Sequence, residues 1–273
     1  MTTAIATLVI GVTYLGRWRT LCETSWREYC QRHHYDLVTI DSPLDDSARA
    51  AARSPAWQKC LILGHASLVK HERVVWVDAD ILINPRAPRI EENVPIEKIG
   101  VVDENTFPSA NSRRAIVQHL AASWETVEPR IAQNWRSFAN PATWHALAGL
   151  PSRGSHMLQT GVLVLSQHHK DLLEHTYFSY EDSGGEEMNY EMRPLSFEIQ
   201  ERGLHHLIDS RFNALVGLLV LYREVILRRP LSNAREKVDF LQAQFEKNYF
   251  LHFAGQHDLM DLVRGNASGL LQR

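Results

Sequence analysis

Between Ala4 and Asp80 the chain alternates short β-branched runs with helical stretches, and this restricts its fold more than any other feature. Ala4 to Val12 reads as a first buried strand ending in the turn Thr13-Tyr14-Leu15-Gly16. Trp18, Leu21, Cys22, Trp26, Tyr29 and Cys30 then recur at three- and four-residue steps, one apolar stripe on a helix from about Arg17 to His33. Leu37 to Ile40 is a second strand. Trp57, Cys60, Leu61, Gly64 and Leu68 mark a second helix opened by Ser54-Pro55, where serine caps and proline takes the first helical position. Arg73-Val-Val-Trp-Val-Asp-Ala-Asp80 is a third strand, almost wholly apolar before its acidic end. A β-α-β-α-β order predicts an α/β fold, a mainly parallel central sheet flanked by helices, with ligands outside the carboxyl ends of the strands. Thr13 and the pair Asp78 and Asp80 fall at such ends.

The second half is less regular. Ile99–Asp103 and Met157–Leu165 read as further strands, separated by a helix from Ser112 to about Asn134 and a loop from Asn140 to Gly154. A helix from Tyr190 to Arg202 stops at Gly203, another spans Ser232 to Lys247, and Tyr249–Phe253 is a last short strand. With no repeat or linker, residues 1–273 read as one continuous Rossmann-like domain, in two halves of about 1–103 and 104–273.

Composition excludes several classes. A net charge of −3 argues against a non-specific nucleic-acid binder, which needs a basic excess. Three cysteines without a CxxC spacing indicate neither a disulfide framework nor a zinc knuckle, and with no basic segment before the first apolar run they point to a cytoplasmic protein. The longest apolar stretch, Ala214 to Leu227, is too short to span a bilayer. It is read as a buried strand or helix turn, with a membrane-surface contact or a homo-oligomer interface as the alternatives.

Asp78 and Asp80 are the sharpest feature. In an extended segment residues two apart share a face, so both carboxylates point the same way and repel unless a cation offsets them. Hard oxygen ligands at a sheet's ligand edge suit Mn²⁺ or Mg²⁺.

Val-Trp-Val-Asp-Ala-Asp-Ile-Leu-Ile-Asn-Pro, at Val75 to Pro85, resembles the DxD segment of nucleotide-sugar-dependent glycosyltransferases with the GT-A fold. Trp57-Gln58-Lys59 is similar to their lysine-bearing helix. Gln159-Thr160-Gly161 is similar to their central NTG-type strand, with Gln in place of the usual Asn, and Leu251-His252-Phe253-Ala254-Gly255 resembles their late HFxG element. Taken in order these look most like the retaining enzymes of glycosyltransferase family 34, with family 8 second. The resemblance implies that Asp80, Asp78 and His252 hold the metal, with Asp78 meeting the metal or the donor ribose. Thr13 and Tyr14 would meet the nucleotide base, while Lys59 and Gly255 would bind the donor. It also implies an acidic or amide residue near the reacting carbon, for which Glu191 is the first candidate and Glu187 the second, with Gln159 contacting a sugar. The expected reaction moves a hexose or pentose from a nucleoside diphosphate, UDP favoured over GDP, to a hydroxyl acceptor such as a glycan, with Lys59 or Arg17 offsetting the leaving charge.

Two other readings use the same acidic pair. A nucleotidyltransferase or phosphohydrolase also places aspartates and Mg²⁺ at a strand end, but Gly11-Val-Thr-Tyr-Leu-Gly16 lacks the glycines and basic residues of a phosphate loop. A non-catalytic nucleotide-sugar-binding module would tolerate loss of one of Asp78, Asp80 and His252, and all three are present.

Overall fold

The apolar runs build two sheets. The computed structural model describes residues 2–151, 153–182 and 190–264. Strands β1 (Thr3–Leu8), β2 (Asp36–Ile40) and β3 (Arg73–Val77) follow the expected alternation. They are joined by β4 (Ile81–Ile83), β5 (Ile99–Asp103), β6 (Leu158–Leu165), β7 (His205–Leu207), β8 (Ala214–Leu215) and β9 (Phe250–His252). The larger sheet has the order β2-β1-β3-β6-β5-β7, and β4-β9-β8 form the smaller one. In the larger sheet β1 is parallel to β2 and β3, and β5 to β7, while β6 runs antiparallel between β3 and β5.

All eight residues of β6 are buried, as a strand covered on both faces requires. Successive residues of β3 serve two cores: Val75 and Val77 pack with Trp18, Trp26 and Val162, whereas Val74 and Trp76 pack with Trp57, Leu63 and Leu163. Each large apolar side chain so enclosed contributes about 1.5–3 kcal/mol.

The first helical segment begins at Val12, earlier than its apolar stripe shows. It is divided at Cys22 into α1 (Val12–Leu21) and α2 (Glu23–His33). Gly11, with φ +96°, makes the turn into α1 that a residue with a Cβ enters only under strain. Strand β1 therefore ends at Leu8, and Thr13 and Tyr14 lie in the first turn of α1 rather than at a strand end. The indole of Trp26 donates to the Ile81 carbonyl at 2.8 Å, and Cys22 Sγ to the Ala79 carbonyl at 3.6 Å, so both helices are pinned against the acidic segment.

The segment opened by Ser54 and Pro55 is a tight three-residue-per-turn helix, Pro55–Gly64, with the Ser54 hydroxyl accepting from the Ala56 N–H. Ala110–Trp124 and Pro129–Ser137 replace the single helix expected from Ser112 to Asn134. The expected loop from Asn140 holds a helix, Pro141–Leu147, capped by Asn140. Lys170–Ser179 adds a helix. From Ala214 to Leu227 the chain is a short strand, the helix Val216–Leu221 and a wide turn, with Ala214, Val216, Leu218 and Leu219 in the protein's own core. No helix among the described residues is long and apolar enough to cross a membrane.

Candidate metal centre and cleft

Asp78, Ala79 and Asp80 form the turn by which the chain leaves β3 in the larger sheet and enters β4 in the smaller one. The two carboxylates therefore converge across a turn, not along an extended strand as their spacing suggested. The Asp78 N–H donates to the Gly161 carbonyl of β6 at 2.8 Å, and the Asp80 carbonyl accepts from the Phe253 N–H at 3.0 Å. Antiparallel pairing sets Ile81 opposite His252. One aspartate is thus tied to each sheet, and the histidine arrives on the partner strand. A ligand atom of Asp78, of Asp80 and of His252 all lie within 4.8 Å of one another, with His252 Nε2 3.3 Å from Asp80 Oδ1.

Their electrostatics are coupled. Burial alone would raise the Asp80 pKa, but the charge of His252 and its hydrogen bond outweigh that and hold the carboxylate below its ordinary range. Burial would lower His252, and Asp80 overrides it, so the imidazole is raised above its ordinary value.

A second layer lies behind Asp78. Lys59 Nζ is 3.0 Å from Asp78 Oδ1 and 2.8 Å from Glu191 Oε1, with its side chain 3% exposed. Burial disfavours its ammonium most strongly, yet the two carboxylates together raise it above the ordinary lysine value. Glu191 also accepts from the Thr160 hydroxyl at 2.9 Å. Its pKa is raised by burial, with Lys59 countering and Asp78 adding to the rise. The Trp76 indole donates to Asp78 Oδ1 at 2.7 Å.

In front of this layer lies a cleft of about 550 Å³. Asp78, Asp80, Lys59 and Trp76 line it together with Tyr14, Arg17, Gly255 and His257. Tyr14 stands at the rim, half exposed, with its ring edge-on to His257 at 5.9 Å. Gly255 has φ +79°, a conformation that favours glycine. Arg17 is paired with Asp261 at 3.2 Å.

Of the residues singled out from sequence, the structure brings Tyr14, Lys59, Asp78, Asp80 and Gly255 to the cleft, with His252 beside the aspartates. Thr13 is exposed on α1, and the wall at that point is Tyr14. Glu191 is enclosed behind Lys59, not at the cleft wall. Glu187 lies outside the described residues. Gln159 is buried, its Oε1 accepting from the Gly161 N–H at 2.6 Å and from Asn213 Nδ2 at 3.0 Å. Asn213 in turn meets His252 Nδ1 at 2.7 Å. Asn213 and His257 are the residues that sequence reasoning missed, and Thr160, read there only as part of a motif, holds Glu191 through its hydroxyl. Arg-Phe-Asn before an apolar pair carries little signal until the pairing of β8 with β9, Leu215 opposite His252, brings it to the histidine.

No protein-family profile matches the chain, and no curated protein is detectably similar to it. Solved structures do resemble it. A glycosyltransferase involved in the glycosylation of the major capsid of PBCV-1 superposes with a TM-score of 0.54 at 14% identity, over 94% of this chain and 97% of that one. The galactosyltransferase LgtC, solved with donor and acceptor sugar analogs, gives 0.45 at 11% identity over 97% and 96% of the two chains. Mouse xyloside xylosyltransferase 1 gives 0.41 at 11% identity over 94% and 99%. The first of these carries the comparison, and what it shows is the fold: mixed α/β, with a mainly parallel sheet between helices, over nearly the whole of both chains.

Proposed function

We propose that the chain is a metal-dependent glycosyltransferase. It would move a sugar from a nucleoside-diphosphate donor, UDP favoured over GDP, to a hydroxyl acceptor such as a glycan, with retention of anomeric configuration, in the manner of families 34 and 8. The observation that carries this reading is the Asp78, Asp80 and His252 group beside a cleft of about 550 Å³ that also holds Lys59 and Tyr14.

The donor set fits a hard divalent cation, two carboxylates and an imidazole nitrogen, and so does the charge. With a neutral imidazole, Asp78 and Asp80 bring two carboxylates to the group, and the ammonium of Lys59 is shared between Asp78 and Glu191, so negative charge is left over at the aspartates. Mn²⁺ or Mg²⁺ held by Asp78, Asp80 and His252 would offset that excess, so that a leaving diphosphate would meet a site that is no longer strongly negative.

The chain's own residues supply the rest. Tyr14 at the rim offers an aromatic face for the nucleotide base, with Thr13 beside it on the same turn. Lys59, held in place by Glu191, keeps a positive charge at the cleft floor beside Asp78, and Gly255 leaves room for backbone approach to the donor. Glu187 remains the candidate for an acidic group near the reacting carbon. Residues 1–103 would hold the donor and 104–273 the acceptor. The cysteines are all free and buried, which suits a reducing compartment such as the cytoplasm.

The test is turnover of a panel of UDP- and GDP-hexoses and pentoses with Mn²⁺, read as release of free nucleotide. The expected result is release from one donor class that EDTA abolishes and that Asp80→Ala lacks while keeping its fold. Full activity in Asp80→Ala, or turnover of phosphate esters without any sugar nucleotide, would overturn the proposal.

A further inference from the structure

The polarity of the hydrogen-bond chain ending on His252 is set by a group with one choice. A backbone N–H can only donate, and that of Gly161 donates to Gln159 Oε1 at 2.6 Å, which fixes this atom as the amide oxygen. The same oxygen is met by Asn213 Nδ2 at 3.0 Å, so the Asn213 amide turns its nitrogen to Gln159 and its oxygen to His252. That oxygen lies 2.7 Å from His252 Nδ1, and an acceptor there requires Nδ1 to carry the proton. When the ring is neutral, the lone pair is on Nε2, the nitrogen 3.3 Å from Asp80.

We propose that Gln159 and Asn213 are positioning residues that lock His252 in its Nδ1–H tautomer and thereby set the cation affinity of the Asp78, Asp80 and His252 group from outside it. The inference rests on reading that group as a metal centre. Asn213 and His252 are 1% and 3% exposed, so little solvent reaches the chain of bonds. Without the Gln159 oxygen, the Asn213 amide is free to turn over and present Nδ2 to the ring. The proton then moves to Nε2, and the face toward Asp78 and Asp80 loses its lone pair. Partners that orient a ligand histidine in this way are worth about ten- to a hundredfold in metal affinity. Both Gln159 contacts use its oxygen, so Gln159→Glu keeps them and Gln159→Leu removes them.

The experiment is calorimetric titration of the whole chain with Mn²⁺ alone. Gln159→Leu and Asn213→Leu are expected to bind about ten- to a hundredfold more weakly than wild type, with Gln159→Glu restoring most of the loss. Leucine variants that bind as tightly as wild type overturn the proposal. Because leucine in a buried polar site can itself unfold a chain, a second readout uses wild type only. Nitrogen NMR of metal-free, histidine-labelled protein, at a pH where His252 is neutral and with its signal assigned by loss in His252→Gln, is expected to show a protonated Nδ1 and a bare Nε2. The opposite tautomer overturns the proposal without any variant. A wild-type chain with the expected tautomer that binds no Mn²⁺ overturns instead the reading of the group as a metal centre, and the claim about affinity falls with it.

Discussion

The His252 ring lies against the bare backbone of Gly161: a Cβ at that glycine would stand 2.5 Å from His252 Cε1. The ring has nowhere to retreat, because Asn213 holds one side of it and Asp80 the other. The Thr-Gly pair of β6 thus makes room for the histidine. Gly161→Ala should destabilise the protein by about 1–3 kcal/mol, the cost of overpacking a filled interior, and should weaken Mn²⁺ binding more than it weakens the fold. Denaturant midpoints and Mn²⁺ titration check this, and unchanged values in both would show that the ring moves freely.

Buried Lys59 ties together two carboxylates, Glu191 in the interior and Asp78 at the cleft. Removing one partner of such a group leaves buried charge uncompensated, so Lys59→Met should cost about 3–5 kcal/mol in urea unfolding. Removing the facing carboxylate as well, in Lys59→Met/Glu191→Leu, should cost less than the single change. A loss below about 1 kcal/mol for Lys59→Met would place the pair with solvent-screened surface bridges.

The metal-free protein should have a characteristic pH dependence. His252 is raised from 6.5, so its contribution is complete below that value and is lost as pH rises through the folded-state pKa. Asp80 is lowered from 3.8, so its contribution is present above that value and is lost as acid protonates it. The pair therefore stabilises most between the two ordinary values. Urea midpoints of wild type minus those of His252→Gln, in EDTA, should fall on raising the pH through the neutral range. Mn²⁺ competes with the proton on the ring, so its affinity should rise over the same range. A flat difference curve would mean that His252 and Asp80 do not interact in solution.

The first three strands and the acidic pair were legible because β1 and β3 are mainly apolar and β-branched and Asp78-Ala79-Asp80 interrupts that pattern abruptly, although the turn that carries the pair was not. The start of α1 was not. Val12 continues the β-branched run of β1, and only the positive φ of Gly11 turns it into a helix. The helix at Pro141–Leu147 carried a readable Asn-Pro start, but Gly149, Pro151 and Gly154 soon after gave the whole stretch the look of a loop. In the site, Asp78, Asp80 and His252 were readable from short motifs. The support around them was not, since Asn213 joins His252 only through the β8–β9 register and Glu191 meets Lys59 only through tertiary packing. Local pattern carries ligand types, whereas the groups that orient ligands come from distant parts of the chain.

The most direct test is thermal unfolding of the purified protein with UDP and with GDP at equal concentration, each with Mn²⁺ and with EDTA. A ligand that binds only the folded chain stabilises it by about 2.7 kcal/mol at a hundred times its Kd, several degrees in Tm for a chain of this size. The expected result is a rise with UDP and Mn²⁺ together, a smaller one with GDP, and none with either nucleotide in EDTA. Equal midpoints under all four conditions would contradict a nucleotide-binding metal site at Asp78, Asp80 and His252.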